Sequence, residues 1–142
     1  MRALLDVNVL IALLDENHAS HLAVSSWFVS HIEQRWASCP LTQNGCVRIL
    51  SQPRYPNSLS IADAAARLRS AVSTPYHRFV ADDISLLDEA TVDSGSLSGP
   101  RQITDIYLLA LAVAHGARFV TLDKHVPLSI VSEAEEESLV VI

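Results

Sequence analysis

Residues 2–14 read Arg-Ala-Leu-Leu-Asp-Val-Asn-Val-Leu-Ile-Ala-Leu-Leu. The run is apolar except at its first residue, Asp6 and Asn8. Its first five residues fit a short buried strand that ends on an acid, and the apolar stretch from Val9 to Leu14 is long enough to continue the strand or to open a helix. Asn8 is a suitable N-cap residue, so the expected reading is a strand over 2–6 and a helix from about residue 8. A carboxylate held among Leu4, Leu5, Val7 and Val9 is costly unless something compensates it. The stretch therefore carries both the fold class and the first chemical clue.

The same grammar recurs along the chain. Helical spacing predicts a helix over 19–33, with Val24, Trp27, Phe28, His31 and Ile32 on one side. Residues 35–39 read as a second short strand stopped by Pro40, after which Thr42 is placed as the cap of a helix that ends at Pro53-Arg-Tyr-Pro56. The alanine-rich segment 61–72 has high helix propensity. Residues 79–81 read as a third strand, 84–92 as a short helix and 93–102 as a loop. Thr104-Asp105 is placed at the start of a helix to about His115, with Gly116 suited to the position just past its end. Residues 119–122 and 139–142 read as the fourth and fifth strands. Strands that are apolar throughout and alternate with helices point to an α/β fold, with a mainly parallel sheet of about five strands flanked by helices in three layers. The expected organisation is one domain over residues 1–142.

Composition narrows the function. The chain has 142 residues, 49% of them apolar, and a formal charge of −6. A disordered chain is excluded, and so is a protein that grips nucleic acid through bulk positive potential. Nine of the ten basic residues are arginine, and the guanidinium group suits two-pronged contacts to phosphate or carboxylate. Glu133, Glu135, Glu136 and Glu137 gather near the C-terminus. Cys39 and Cys46 are too few for a disulfide framework or a zinc site, and read as small buried apolar residues. The apolar N-terminal run contains Asp6 and Asn8 and is followed by no small-residue cleavage site, and no stretch is long enough to span a bilayer, so a soluble, cytoplasmic protein with no membrane contact is expected.

Three acids share a position type. Asp6 follows the first strand, Asp123 follows the fourth, and Asp105 lies in the first turn of the helix before that fourth strand. In open parallel sheets, ligands bind at the carboxyl ends of the strands near the point where the strand order reverses. Three converging carboxylates with no basic partner either hold raised pKa values or take up a cation, and oxygen ligation favours Mg²⁺ or Mn²⁺ over Zn²⁺. Each acid also has a bland reading. Asp105 suits a helix N-terminus, and Asp123-Lys-His suits a turn.

Three blocks of the sequence then match one family. Asp6-Val-Asn8-Val-Leu-Ile-Ala-Leu resembles the opening of a PIN-domain protein, in particular a VapC-type ribonuclease toxin of a toxin–antitoxin pair. Ala37-Ser-Cys-Pro-Leu-Thr42-Gln43-Asn44-Gly45-Cys-Val-Arg48-Ile-Leu-Ser-Gln-Pro53 is similar to the second block of that subfamily. Thr104-Asp105-Ile-Tyr-Leu-Leu-Ala-Leu-Ala-Val-Ala-His-Gly116, followed by Thr121-Leu-Asp123, is similar to the third. The resemblance implies a PIN fold, RNA as substrate, and one or two Mg²⁺ or Mn²⁺ ions held by Asp6, Asp105 and Asp123 as catalytic acids. It implies Asn8, Gln43 and Thr121 as hydrogen-bonding support around them, a small antitoxin as cognate partner, and a homodimer. Arg48 and Arg101 are candidate phosphate contacts. Where many relatives carry Glu after the threonine, this chain has Gln43, an uncharged amide that removes one formal charge and favours a single ion.

Two rival functions stand beside the metal-dependent endoribonuclease. One is a catalytically weak PIN-like module that binds RNA or a partner protein without cutting. The other is a phosphoryl-acceptor domain using Asp6, which would lack a second aspartate two residues on, where Asn8 stands. The six histidines fall in no nucleophile–base motif and receive no role. Trp27, Phe28 and Trp36 suit either a core or an interface.

Overall fold

The computed structural model describes residues 1–142. Ala3–Leu5 form β1, and the chain turns directly into α1, Val7–Leu14. The cap of α1 is Asp6 rather than Asn8: its backbone is extended and its carboxylate accepts from the Val7 N–H. No loop separates strand from helix, so the acid that ends β1 must also satisfy the first donor of α1. Next come α2 (His21–His31), β2 (Trp36–Ser38), α3 (Pro40–Leu50), α4 (Ile61–Val72) and β3 (His77–Phe79). They are followed by α5 (Ile103–Ala114), β4 (Arg118–Thr121) and β5 (Leu139–Val141).

The five strands form one sheet in the order β3-β2-β1-β4-β5, and every pairing is parallel. The order advances one way from β1 through β2 to β3, then resumes on the other side of β1 with β4. The reversal point is therefore the seam between β1 and β4, where Leu5 pairs with Val120. Alternate residues of each strand feed two separate cores. Leu4, Ala37 and Phe119 pack with α5 on one face. Ala3, Leu5, Trp36 and Val120 pack with α1, α2, α3 and α4 on the other. Trp36 is a core residue, and Phe28 meets its ring edge to face at 5.7 Å. Cys39 and Cys46 are buried free thiols.

Several boundaries differ from the sequence reading for local reasons. Thr42 is the third residue of α3, not its cap: Cys39 is the cap, Pro40 opens the helix, and the Thr42 hydroxyl accepts from the Cys39 N–H at 3.0 Å. The helix expected over 84–92 is a series of turns. There the Ser85 hydroxyl accepts from the Leu87 N–H, and the Asp88 carboxylate accepts from the Ala90 N–H and the Thr91 hydroxyl. Side chains that take up backbone donors in this way compete with the helix. The end of α5 follows expectation: Gly116 has φ +61°, and the Ala117 N–H reaches back to the Ala112 carbonyl at 2.8 Å.

A close approach sets how α3 lies on α1. A Cβ added to Gly45 would stand 2.8 Å from Val7 Cγ2. Gly45→Ala is therefore expected to destabilise the protein. Overpacking costs about 1–3 kcal/mol, and alanine's better helix propensity returns about 1 kcal/mol. A urea midpoint for Gly45→Ala alone and combined with Val7→Ala checks this, since the smaller partner should restore most of the loss.

Candidate metal centre

Parallel pairing sends Asp6 and Asp123 off the same end of two neighbouring strands, about 4.8 Å apart in a sheet. α5 runs back across the sheet, so its first turn, which holds Asp105, returns to that same end. Asp6 is 4% exposed. One carboxylate oxygen accepts from the Val7 N–H at 2.7 Å, and the other accepts from the Thr121 hydroxyl at 2.8 Å. Thr121 is fully buried, and its oxygen also accepts from the Asp123 N–H at 3.1 Å. One hydroxyl thus ties the Asp6 carboxylate to the backbone of Asp123. The Asp123 side chain is exposed and accepts from the His125 N–H at 2.8 Å.

The three acids interact. Burial pushes the Asp105 carboxyl up to about 7, and the nearby charges of Asp6 and Asp123 add to the shift, as does a hydrogen bond to the Asp123 side chain. Burial also raises Asp6, with Asp123 adding to it, while the Thr121 hydroxyl and the Val7 amide pull the other way. No lysine or arginine forms an ion pair anywhere in the chain; the one salt bridge joins His115 and Asp83 at 2.8 Å. A proton on Asp105 is what relieves the cluster in the bare protein.

No three of the chain's His, Cys, Asp and Glu side chains close around a common point. The centre is an open set of carboxylate oxygens. That suits Mg²⁺ or Mn²⁺, since Mg²⁺ keeps several waters and takes one or two carboxylates together with substrate phosphate. The donor chemistry fits such an ion: all oxygen, net negative, and with no Lys or Arg paired to it.

Gln43 makes its hydrogen bond elsewhere. The Gln43 amide nitrogen donates to the Ser38 hydroxyl at 2.9 Å, and Ser38 lies 2.8 Å from His77 Nε2. The amide is thus engaged on the α3 side of the sheet, and no hydrogen bond joins it to the three carboxylates. Asn8, Arg48 and Arg101 are exposed. One acid at this end was not expected from spacing. Asp82, just past β3, accepts from the Leu41 N–H in the first turn of α3 at 3.1 Å and so holds that helix start. Its only signal in the sequence is an acid pair following an apolar run.

Comparison with known proteins agrees with this geometry. A family model described as PIN domain matches residues 3–131. Ribonuclease VapC44 of Mycobacterium tuberculosis (strain ATCC 25618 / H37Rv) is 51% identical over 139 residues, which is 98% of each chain. Ribonuclease VapC38 of the same strain is 43% identical over 122 residues, 85% of this chain and 84% of that one. Among solved structures, VapBC2 from Rickettsia felis bound to a DNA fragment from their promoter superposes with a TM-score of 0.57 at 12% identity. That match covers 87% of this chain and 89% of the other, and it is a likeness of fold.

Proposed function

We propose, because the chain belongs to the PIN-domain family and to its VapC branch, that it is the ribonuclease toxin of a toxin–antitoxin pair and depends on Mg²⁺ or Mn²⁺. The observation that supports this reading is that Asp105 feels the charges of Asp6 and Asp123 at the β1–β4 end of the sheet, with no basic side chain paired to any of them. Asp6 and Asp105 would hold the ion, and Asp123 would complete the set. When bound, such an ion polarises a phosphodiester and lowers the pKa of water.

The chain's own residues supply the rest. Asp6 is fixed in orientation by two hydrogen bonds and cannot swing away. Asp123 projects from the exposed edge, where it can orient an attacking water and take its proton. Thr121 sets the spacing between them. Thr121→Val keeps the shape and removes the hydroxyl, so cleavage should fall by about 10–100-fold. Loss of that donor raises the Asp6 carboxyl further, so the lower limb of the pH–rate profile should move to higher pH. An unchanged profile would show that the hydroxyl positions nothing.

An RNA substrate and a small protein antitoxin are part of the same proposal, the first suggested by the relatives' names and the second by the VapBC2 neighbour, and a homodimer is proposed with them. No helix is long and apolar enough to cross a membrane. The test is cleavage of total RNA by the purified chain with Mg²⁺, with Mn²⁺ and with EDTA. Cutting with either metal and none with EDTA is expected, and cutting that survives EDTA would remove the metal from the reading.

A further inference from the structure

The end of the sheet opposite the acid centre carries the reverse charge. Register places it there strand by strand. Ala3 pairs with Trp36, so Arg2 stands beside Arg35 at the starts of β1 and β2. Arg78 lies across from Ala37 in β3, and Arg118 across from Ala3 in β4. Side chains alternate between the two faces, so Arg2, Arg35 and Arg78 form a staggered row on the Leu4–Ala37 side of three adjacent strands, while Arg118, in register with Ala3, falls on the other side.

None of the four has an acidic partner, since the chain's single salt bridge involves none of them. The Nε atoms of Arg2 and Arg118 are buried donors with no acceptor. Buried N–H groups left unpaired are costly and uncommon. Arg118 lies over the Trp27 ring, whose centroid is 5.4 Å from its guanidinium carbon, and donates from Nη2 to the Gln34 side-chain oxygen, so only its Nε lacks an acceptor. Arg2 also feels the positive charges of Arg78 and Arg35, with burial the larger influence on it. Mutual repulsion and idle donors are both relieved by one kind of ligand, an anion with several acceptor oxygens.

We propose that the row Arg78, Arg35 and Arg2 is a second contact surface for RNA, binding backbone phosphates at the end of the sheet remote from the acid centre. This rests on the reading of the chain as an RNA nuclease. RNA is favoured over an acidic protein segment because the acid centre repels a polyanion, so a substrate brought to it needs a positive anchor elsewhere on the same molecule. The strands are three or four residues long, which sets the two ends of the sheet only about 10–13 Å apart. A folded RNA or a few nucleotides of single strand bridge that span.

The test uses the full chain carrying Asp6→Asn, so that RNA is bound but not cut, and a labelled single-stranded RNA titrated at several salt concentrations. Adding Arg2→Ala, Arg35→Ala and Arg78→Ala together should lower affinity by more than tenfold at low salt. It should also reduce the slope of log K against log salt by about 2, at about 0.7 per phosphate contact on a single strand. The corresponding three lysine substitutions should keep the slope. If the triple alanine variant does not fold, each single variant should reduce the slope by about 0.7.

An unchanged slope and affinity overturns the row, and so does a chain that binds no RNA at any salt. Loss of antitoxin binding with RNA binding intact also overturns it, and assigns the row to an acidic protein instead. Cleavage by the unmodified chain in Mn²⁺ is measured separately. Cutting together with an unchanged slope removes the row and leaves the nuclease reading. Binding through the row with no cutting leaves the row and removes the nuclease.

Discussion

Asp6→Asn is expected to leave a chain as stable as the parent or more so, with cleavage reduced by more than about 100-fold, the upper end of what loss of a supporting residue alone costs. Asparagine is as good a helix cap as aspartate, so the Val7 N–H keeps its acceptor. The side-chain amide can donate to Thr121 where the carboxylate accepted. What disappears is a buried charge facing Asp105 and Asp123, which stabilises the metal-free fold. Asp6→Ala should be equally inactive but differ in stability. It loses the cap, about 1 kcal/mol, and strands the fully buried Thr121 hydroxyl, a further 1–3 kcal/mol. Urea denaturation and initial cleavage rates on both variants check the pair. Near-parental cleavage by Asp6→Asn would remove Asp6 from the centre, and equal stability of the two variants would remove its capping role.

The second large effect is a dependence of stability on pH that reverses when metal is added. The Asp105 carboxyl, ordinarily near 3.8, is pushed up to about 7 by burial and by its acidic neighbours. Between those values the folded protein holds a proton that the unfolded chain has released. Stability from this group is therefore fully present below about pH 4 and lost as pH rises through about 7. The loss is about 2 kcal/mol once the solvent-facing part of the side chain is discounted. His77 acts in the opposite sense in acid, because burial and the nearby Arg2 lower its pKa. The measurement is therefore the difference between the parent and Asp105→Asn. With EDTA, the parent's melting temperature relative to that variant should fall from pH 5 to pH 8. With Mn²⁺, the ionised carboxyls gain a partner, and at a concentration 100 times the dissociation constant the fold gains about 2.7 kcal/mol near pH 8. Little should be gained at pH 5, where Asp105 keeps its proton. A flat difference in EDTA would mean that Asp105 does not feel its neighbours.

The parallel sheet was legible because its strands are short apolar runs separated by helical periods, as in Leu4-Leu5 and Phe119-Val120-Thr121. The position of the three acids followed from the same pattern, since each sits where a strand or helix meets the rim of the sheet. Local competition was harder to read. Residues 84–92 carry helix-compatible apolar spacing, yet Ser85 and Asp88 draw nearby backbone donors into turns. The cap of α1 lies two residues before Asn8 because Asp6 does two jobs at once, following the strand and opening the helix with nothing between. The destination of Gln43 was not legible at all. Its partner Ser38 comes from the end of another strand, and Ser38 in turn meets His77 39 residues further along. Contacts of that kind exist only once the sheet has formed. The arginine row has the same origin, since Arg2, Arg35 and Arg78 come together through strand pairing alone.

The hydrogen bond from Thr121 to Asp6 spans 115 residues of sequence. Synthesis proceeds from the N-terminus at about 5–20 residues per second, so a growing chain exposes Asp6 many seconds before its partner exists. Until β4 emerges, β1 lacks one neighbour, the seam is open, and neither Asp123 nor the hydroxyl that aligns it has been made. The nuclease therefore comes with a built-in delay. On the proposed function, a translation product ending before β4 lacks Thr121 and Asp123 and should leave RNA uncut, so the power to cut would arrive only with the last fifth of the chain.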